Sequence, residues 1–142
     1  MKTVQYLLVL LALAGAVVSV LALRVHYSTG TEPCSINERW DCGIVNRSSF
    51  AVIDNVPVAA IGILGYLVLA GLALARQRYL LLLAVLVALG FALRLSFIEE
   101  YVLMVWCVYC VISQCIVALM TLLSLGWFTS EYLALRRSHH AA

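Results

Sequence analysis

Charge is what this chain has least of. Acidic and basic side chains make up 11% of its 142 residues, under half the share of about 25% in ordinary soluble domains. That scarcity excludes a water-soluble globule. Net charge is only +2, and no basic stretch carries interleaved aromatics, so nucleic acid is excluded as a partner. Internal repeats and low-complexity segments are lacking. So is any polar stretch long enough for a separate soluble domain. What remains is apolar: 65% of residues are hydrophobic and mean hydropathy is +1.05. The composition is that of an integral membrane protein. The length suits one membrane domain over residues 1–142.

Four apolar runs set the expected spans at about residues 4–23, 58–75, 79–98 and 102–128. A signal peptide is the competing reading of the first run, and either reading delivers the segment after Leu23 to the outside. Gly62, Gly65 and Gly71 allow close helix packing in the second run. Arg76-Gln77-Arg78 and Glu99-Glu100-Tyr101 are expected short turns. The expected fold is therefore an all-α bundle of four transmembrane helices. Arg94, near the end of the third run, is expected to snorkel to the outer face.

Residues 24–57 form the only long polar segment and are expected to be the functional loop. The segment holds Cys34 and Cys42, and is punctuated by Gly30, Pro33, Gly43 and Pro57. Ile44, Val45, Phe50, Val52 and Ile53 alternate with polar residues and read as a short amphipathic helix capping the bundle. Lys2, Arg76, Arg78, Arg136 and Arg137 fall on one side of a four-span topology. The positive-inside rule then places both termini in the cytoplasm and the loop outside. His139 and His140 read as tail residues, and no metal site is expected.

Trp106-Cys107-Val108-Tyr109-Cys110 opens the last apolar run. If that run is helical from residue 102, Cys107 lies in its first turns, where the helix dipole favours a thiolate. Cys110 lies about 4.5 Å deeper at the helical rise. All four cysteines of the two pairs then share the outer face. Spacing leaves three uses open. One is a relay that passes electrons from the Cys34/Cys42 pair to Cys107/Cys110 and on to a lipid-soluble oxidant such as a quinone. A second is a pair of bracing disulfides. The third is a zinc site. Cys115, in mid-run, reads as a buried apolar filler. Trp40, Trp106, Tyr101 and Tyr109 crowd the same face, as an interface belt or as stacking partners for a quinone.

The order Cys34-x₇-Cys42, Ser48 six residues on, Gly62 and Tyr66 in the second span, then Cys107-Val-Tyr-Cys110 resembles the vitamin K epoxide reductase family over about residues 5–128. The resemblance implies a four-helix bundle around a quinone of menaquinone, ubiquinone or phylloquinone type. It implies that Cys107 and Cys110 are the active pair, with Cys110 the sulfur that reacts with quinone. Cys42 would exchange with Cys107, and Cys34 would meet an outside partner. Ser48 would hydrogen-bond at the quinone site, with Phe50, Tyr109 and Gln114 as further contacts. Bacterial relatives use a thioredoxin-fold partner, here expected in trans. Vertebrate members carry asparagine near Val58 and tyrosine where Gln114 stands, residues associated with vitamin K and its epoxide. Their absence favours a disulfide-generating enzyme of a bacterial inner membrane. Vitamin K epoxide reduction and a non-enzymatic scaffold are the alternatives.

Overall fold

In the computed structural model, which describes residues 2–142, the chain is a helical bundle under a small cap. Helix α1 (Lys2–Tyr27) is followed by a short helix α2 (Cys42–Asn46). A single 3₁₀ turn (Ser49–Ala51) leads into a two-stranded hairpin, β1 (Val52–Ile53) and β2 (Val56–Pro57). Helices α3 (Val58–Leu74), α4 (Arg78–Ile98) and α5 (Val108–Ala141) complete the bundle. Among the described residues, three helical stretches are long and apolar enough to cross a membrane: residues 2–27, 78–103 and 108–141. At 17 residues, α3 reaches about 25 Å at the helical rise, the lower limit for a span. The protein is an all-α membrane bundle.

Close approach of α1 to α3 is written in small residues. A side chain at Gly15 would collide with the Tyr66 ring, and a Cβ at Gly62 would lie 2.9 Å from Ser19 Oγ. Of the glycines expected to pack tightly, Gly65 and Gly71 face open space and only Gly62 meets a neighbour. At one end, Gln5 Nε2 donates to the Leu74 carbonyl (3.2 Å), and Arg76 Nε donates to Gln5 Oε1 (3.2 Å). Arg76 turns the chain from α3 to α4 with a φ of 57°. Arg78 pairs with Glu131 and lies 5.2 Å from the Trp127 ring. Helix α5 continues past the expected end of the fourth span at residue 128 and takes in Glu131 and the two tail histidines.

The main correction concerns the fourth span. A helix from residue 102 to 128 was expected; α5 begins at Val108 and runs to Ala141. The turn expected at 99–101 is a π-helical extension of α4 over Glu99–Leu103. Met104 then takes a left-handed φ of 55° and redirects the chain. Residues 105–107 leave the helix because their backbone bonds to the loop: Trp106 N–H donates to the Arg39 carbonyl (2.7 Å), and Asp41 N–H donates to the Trp106 carbonyl (3.0 Å). A parallel bridge between Trp40 and Trp106 results. Cys107 is accordingly the N-cap of α5, with extended backbone, and not a residue of its first turns. Helix α1 outlasts the expected 4–23 span by one turn, so the loop starts at Ser28. The expected amphipathic helix of the cap is two short helical pieces and a hairpin. Cys115 is exposed on the outside of the bundle, not buried within it.

Candidate functional site

The site is assembled by the Trp40–Trp106 bridge. Cys42 lies two residues past Trp40, and Cys107 one residue past Trp106. Because the two segments run parallel, the residues that follow them stay together. Their rings add a tilted contact with centroids 6.2 Å apart. Arg39 Nη2 reaches both carboxylate oxygens of Glu100 (3.1 and 3.3 Å), and Trp106 Nε1 donates to the same carboxylate (2.7 Å).

Helix α2 is started by Asp41, whose Oδ1 accepts from Gly43 N–H (2.8 Å) and Ile44 N–H (3.1 Å), as an N-cap should. Ser35 Oγ donates to the same oxygen (2.9 Å). Burial acts to raise the Asp41 pKa, but the bonds from Ile44, Ser35 and Gly43 and the nearby Arg47 cation prevail and hold it below the ordinary carboxylate value. Arg47 ties the cap to α1 through the Val25 carbonyl (3.3 Å) and to the start of the loop through the Gly30 carbonyl (3.1 Å).

Cys34 and Cys42 form a disulfide with Cα atoms 5.7 Å apart. Cys107 and Cys110 are free thiols. Cys34, Cys42 and Cys107 belong to one buried cluster with Val25, Val45 and Val105, and Cys110 packs against it. Cys42 and Cys107 have no accessible surface. In this disulfide state Cys34 and Cys42 offer no thiolate to a metal.

Two residues to which the sequence assigns no role bind the pairs together. Asn46 is buried on α2, one turn past Cys42. Its Nδ2 donates to the Cys42 carbonyl (2.9 Å) and to Cys107 Sγ (3.3 Å), using both amide hydrogens. His26 Nδ1 lies 2.5 Å from the Asn46 carbonyl, so that ring nitrogen carries the proton. Glu99 is 2% exposed, and its Oε2 accepts from Cys107 N–H (3.0 Å). Glu99 and Cys110 both line the same cavity. The Cys110 thiol bond, helped by the Cys110 N–H and Asn46, holds the Cys107 thiol below its ordinary pKa against burial and the Glu99 charge. Only the four-residue offset of Asn46 from Cys42, and a carboxylate closing an apolar run, could have flagged these residues.

Behind Cys110 lies a cavity of about 750 Å³ walled mainly by apolar side chains of α1, α3, α4 and the cap. Ser48, Phe50, Tyr109 and Cys110 all line it. Ser48 Oγ itself donates to the Val45 carbonyl (2.8 Å). Gln114 is not among the lining residues; its side-chain oxygen accepts from Ser96, which is. Val58 and Glu99 line it too. Tyr66 Oη bonds to Ser113 at its carbonyl (3.0 Å) and hydroxyl (2.6 Å). Arg94 is exposed and takes no part in the cavity wall.

Residues 6–125 match the model of the vitamin K epoxide reductase family. The chain belongs to that family. No curated protein matches the chain. Membership makes this protein a membrane oxidoreductase of a family associated with quinones and thiol partner proteins. For this family member the cavity is the place to test for a quinone. Its volume lies within the range of small-molecule pockets. Its wall is apolar, and a free thiol opens onto it at Cys110. The residues present fit an apolar, two-electron acceptor.

Proposed function

We propose that this protein takes two electrons from the dithiol of a thioredoxin-fold partner and delivers them, through Cys34/Cys42 and then Cys107/Cys110, to a quinone, leaving a disulfide in the partner. The observation that carries the reading is the shared burial of both pairs in one cluster, with Cys110 also on the cavity wall. Thiol–disulfide exchange needs a sulfur to touch a disulfide, and the Trp40–Trp106 bridge supplies that proximity.

The residues act in sequence. A partner thiolate attacks Cys34, and Cys42 leaves as a thiolate. Cys42 attacks Cys107 of an oxidised Cys107–Cys110 pair, and Cys110 leaves. The second partner thiolate displaces Cys34, which displaces Cys107 from Cys42 and restores the loop disulfide. An oxidised loop beside reduced Cys107 and Cys110, the arrangement seen, is the state this leaves. A bound quinone supplies the acceptor of two electrons and two protons. Ser48, Phe50 and Tyr109 would hold it at the wall, and Gln114 would act only through Ser96. Val58 offers no hydrogen bond there, which supports disulfide generation over epoxide reduction. The arginines at 76, 78, 136 and 137 support cytoplasmic termini and a catalytic face outside, as in a bacterial inner membrane.

The test is a Cys110→Ala variant. It is expected to lose quinone reduction and to trap a Cys42–Cys107 bond, seen as a cross-link between residues 42 and 107 on non-reducing peptide mapping. Normal turnover by this variant would refute the assignment of Cys110. A free-thiol number unchanged by added quinone in the wild type would favour the scaffold alternative.

A further inference from the structure

Glu99 is a buried carboxylate that the electron route does not use. Among the described residues it is the only acidic side chain on the cavity wall. Its neighbours narrow its role. It shares the cavity wall with Cys110 of α5, and it accepts the N–H of Cys107, the N-cap of that helix, at 3.0 Å. Glu100, the next residue, is turned to Arg39 and Trp106 instead. Among the described residues, no cation pairs with Glu99. A carboxylate buried without a counter-ion is costly, and the one backbone N–H it accepts could be bonded by a neutral oxygen.

We propose that Glu99 is the catalytic proton carrier of the Cys110 thiol, a role that rests on the quinone-linked reading above. In the net step, Cys107–SH and Cys110–SH lose two electrons and two protons to the quinone, which becomes quinol; one S–S bond forms and two S–H bonds break. Glu99 takes the proton of Cys110 as that sulfur becomes nucleophilic. It returns the proton to the oxygen that gains electron density in the cavity, so its own protonation state is restored. The Cys107 N–H bond holds the carboxylate against the sulfur. The π-helical turn that begins at Glu99 is what brings the side chain under the start of α5. Such turns recur at functional sites.

Glu99→Gln keeps the length and the oxygen that accepts from Cys107 but can neither take nor release a proton. Quinone reduction is expected to fall at least about a hundredfold, the scale of general acid–base catalysis. A second readout needs no quinone. In quinone-free protein, the reaction of Cys110 with an apolar methanethiosulfonate, located by tandem mass spectrometry, should change its pH profile in Glu99→Gln, losing the inflection that the Glu99 carboxyl contributes. Glu99→Asp keeps the carboxyl and weakens the hold on Cys107 N–H, so it should outperform Glu99→Gln. Equal wild-type and Glu99→Gln rates in both assays, or Glu99→Gln outperforming Glu99→Asp, would overturn the proposal. If Glu99→Gln does not fold, Glu99→Asp against Glu99→Asn gives the same comparison and decides the role in the same way. Absence of quinone reduction in the wild type would overturn the parent reading instead, and the methanethiosulfonate assay would still decide the role of Glu99.

Discussion

At the end of the bundle that carries the Arg76–Arg78 turn, Leu8, Ala12, Ala73, Leu81, Val85 and Met120 leave no accessible surface. At the end under the cap, Val18, Gly62, Ala88, Phe91 and Ser113 stand around open space. The side-chain chemistry of the two ends is nearly the same. What differs is what closes each end. A tight turn with a left-handed Arg76 draws α3 against α4. The cap, the π-helical turn and the extended Cys107 segment hold the helices apart at the other. In a membrane the lipid tails are as apolar as the protein interior, so helices associate through packing and hydrogen bonds. A hollow therefore forfeits dispersion contacts, and keeping one argues for a ligand-sized need.

The sharpest way to break this contrast is to add the same volume at both ends. Ala12→Leu should destabilise the bundle by about 1–3 kcal/mol, the usual cost of overpacking. Ala88→Leu should leave thermal stability in detergent nearly unchanged and instead raise the KM for quinone. Thermal melts and quinone kinetics on both variants check it; similar destabilisation by both would mean that the cavity is not open in the membrane protein.

A smaller effect is expected at the junction between cap and helix. Asn46→Ala removes the amide that serves both the Cys42 carbonyl and Cys107 Sγ. Losing a hydrogen bond of about 1–1.5 kcal/mol should slow exchange between the pairs about five- to thirteenfold. Rapid-quench trapping of the mixed disulfide measures this, and stability of the filled end should not move.

The smallest effect concerns Asp41. Its folded pKa is lowered, so its contribution to the cap is fully present above the unfolded carboxylate value and is lost as pH falls through the lowered folded value. Acidification below the ordinary carboxylate range should loosen residues 28–51 first, as seen by limited proteolysis with an acid protease. Asp41→Asn should make that sensitivity disappear. An unchanged acid response in that variant would assign the loosening to other groups.

Much of the architecture follows from composition. Long runs without charge can only be satisfied in lipid as helices, because every backbone N–H and C=O must be bonded internally. The third run needed little adjustment: 79–98 became Arg78–Ile98. The fourth boundary was not legible. Residues 102–106 are apolar enough to be helical, and nothing local announces that Trp106 will bond to Arg39 and Asp41, more than sixty residues earlier. Asn46 and Glu99 were hidden for the same reason. Each looks like an ordinary polar residue until α2 and α5 are brought together.

Hydropathy and cysteine spacing by themselves determined that the chain is a membrane bundle with two cysteine pairs, since both depend only on neighbours along the chain. Only the tertiary structure decided that Cys107 caps α5, that Asn46 joins the pairs, that Glu99 binds the Cys107 N–H and shares the cavity wall with Cys110, and that one end of the bundle is hollow. Those features come from contacts between distant segments, where a single backbone exchange at Trp40 and Trp106 outweighed the local preference for helix.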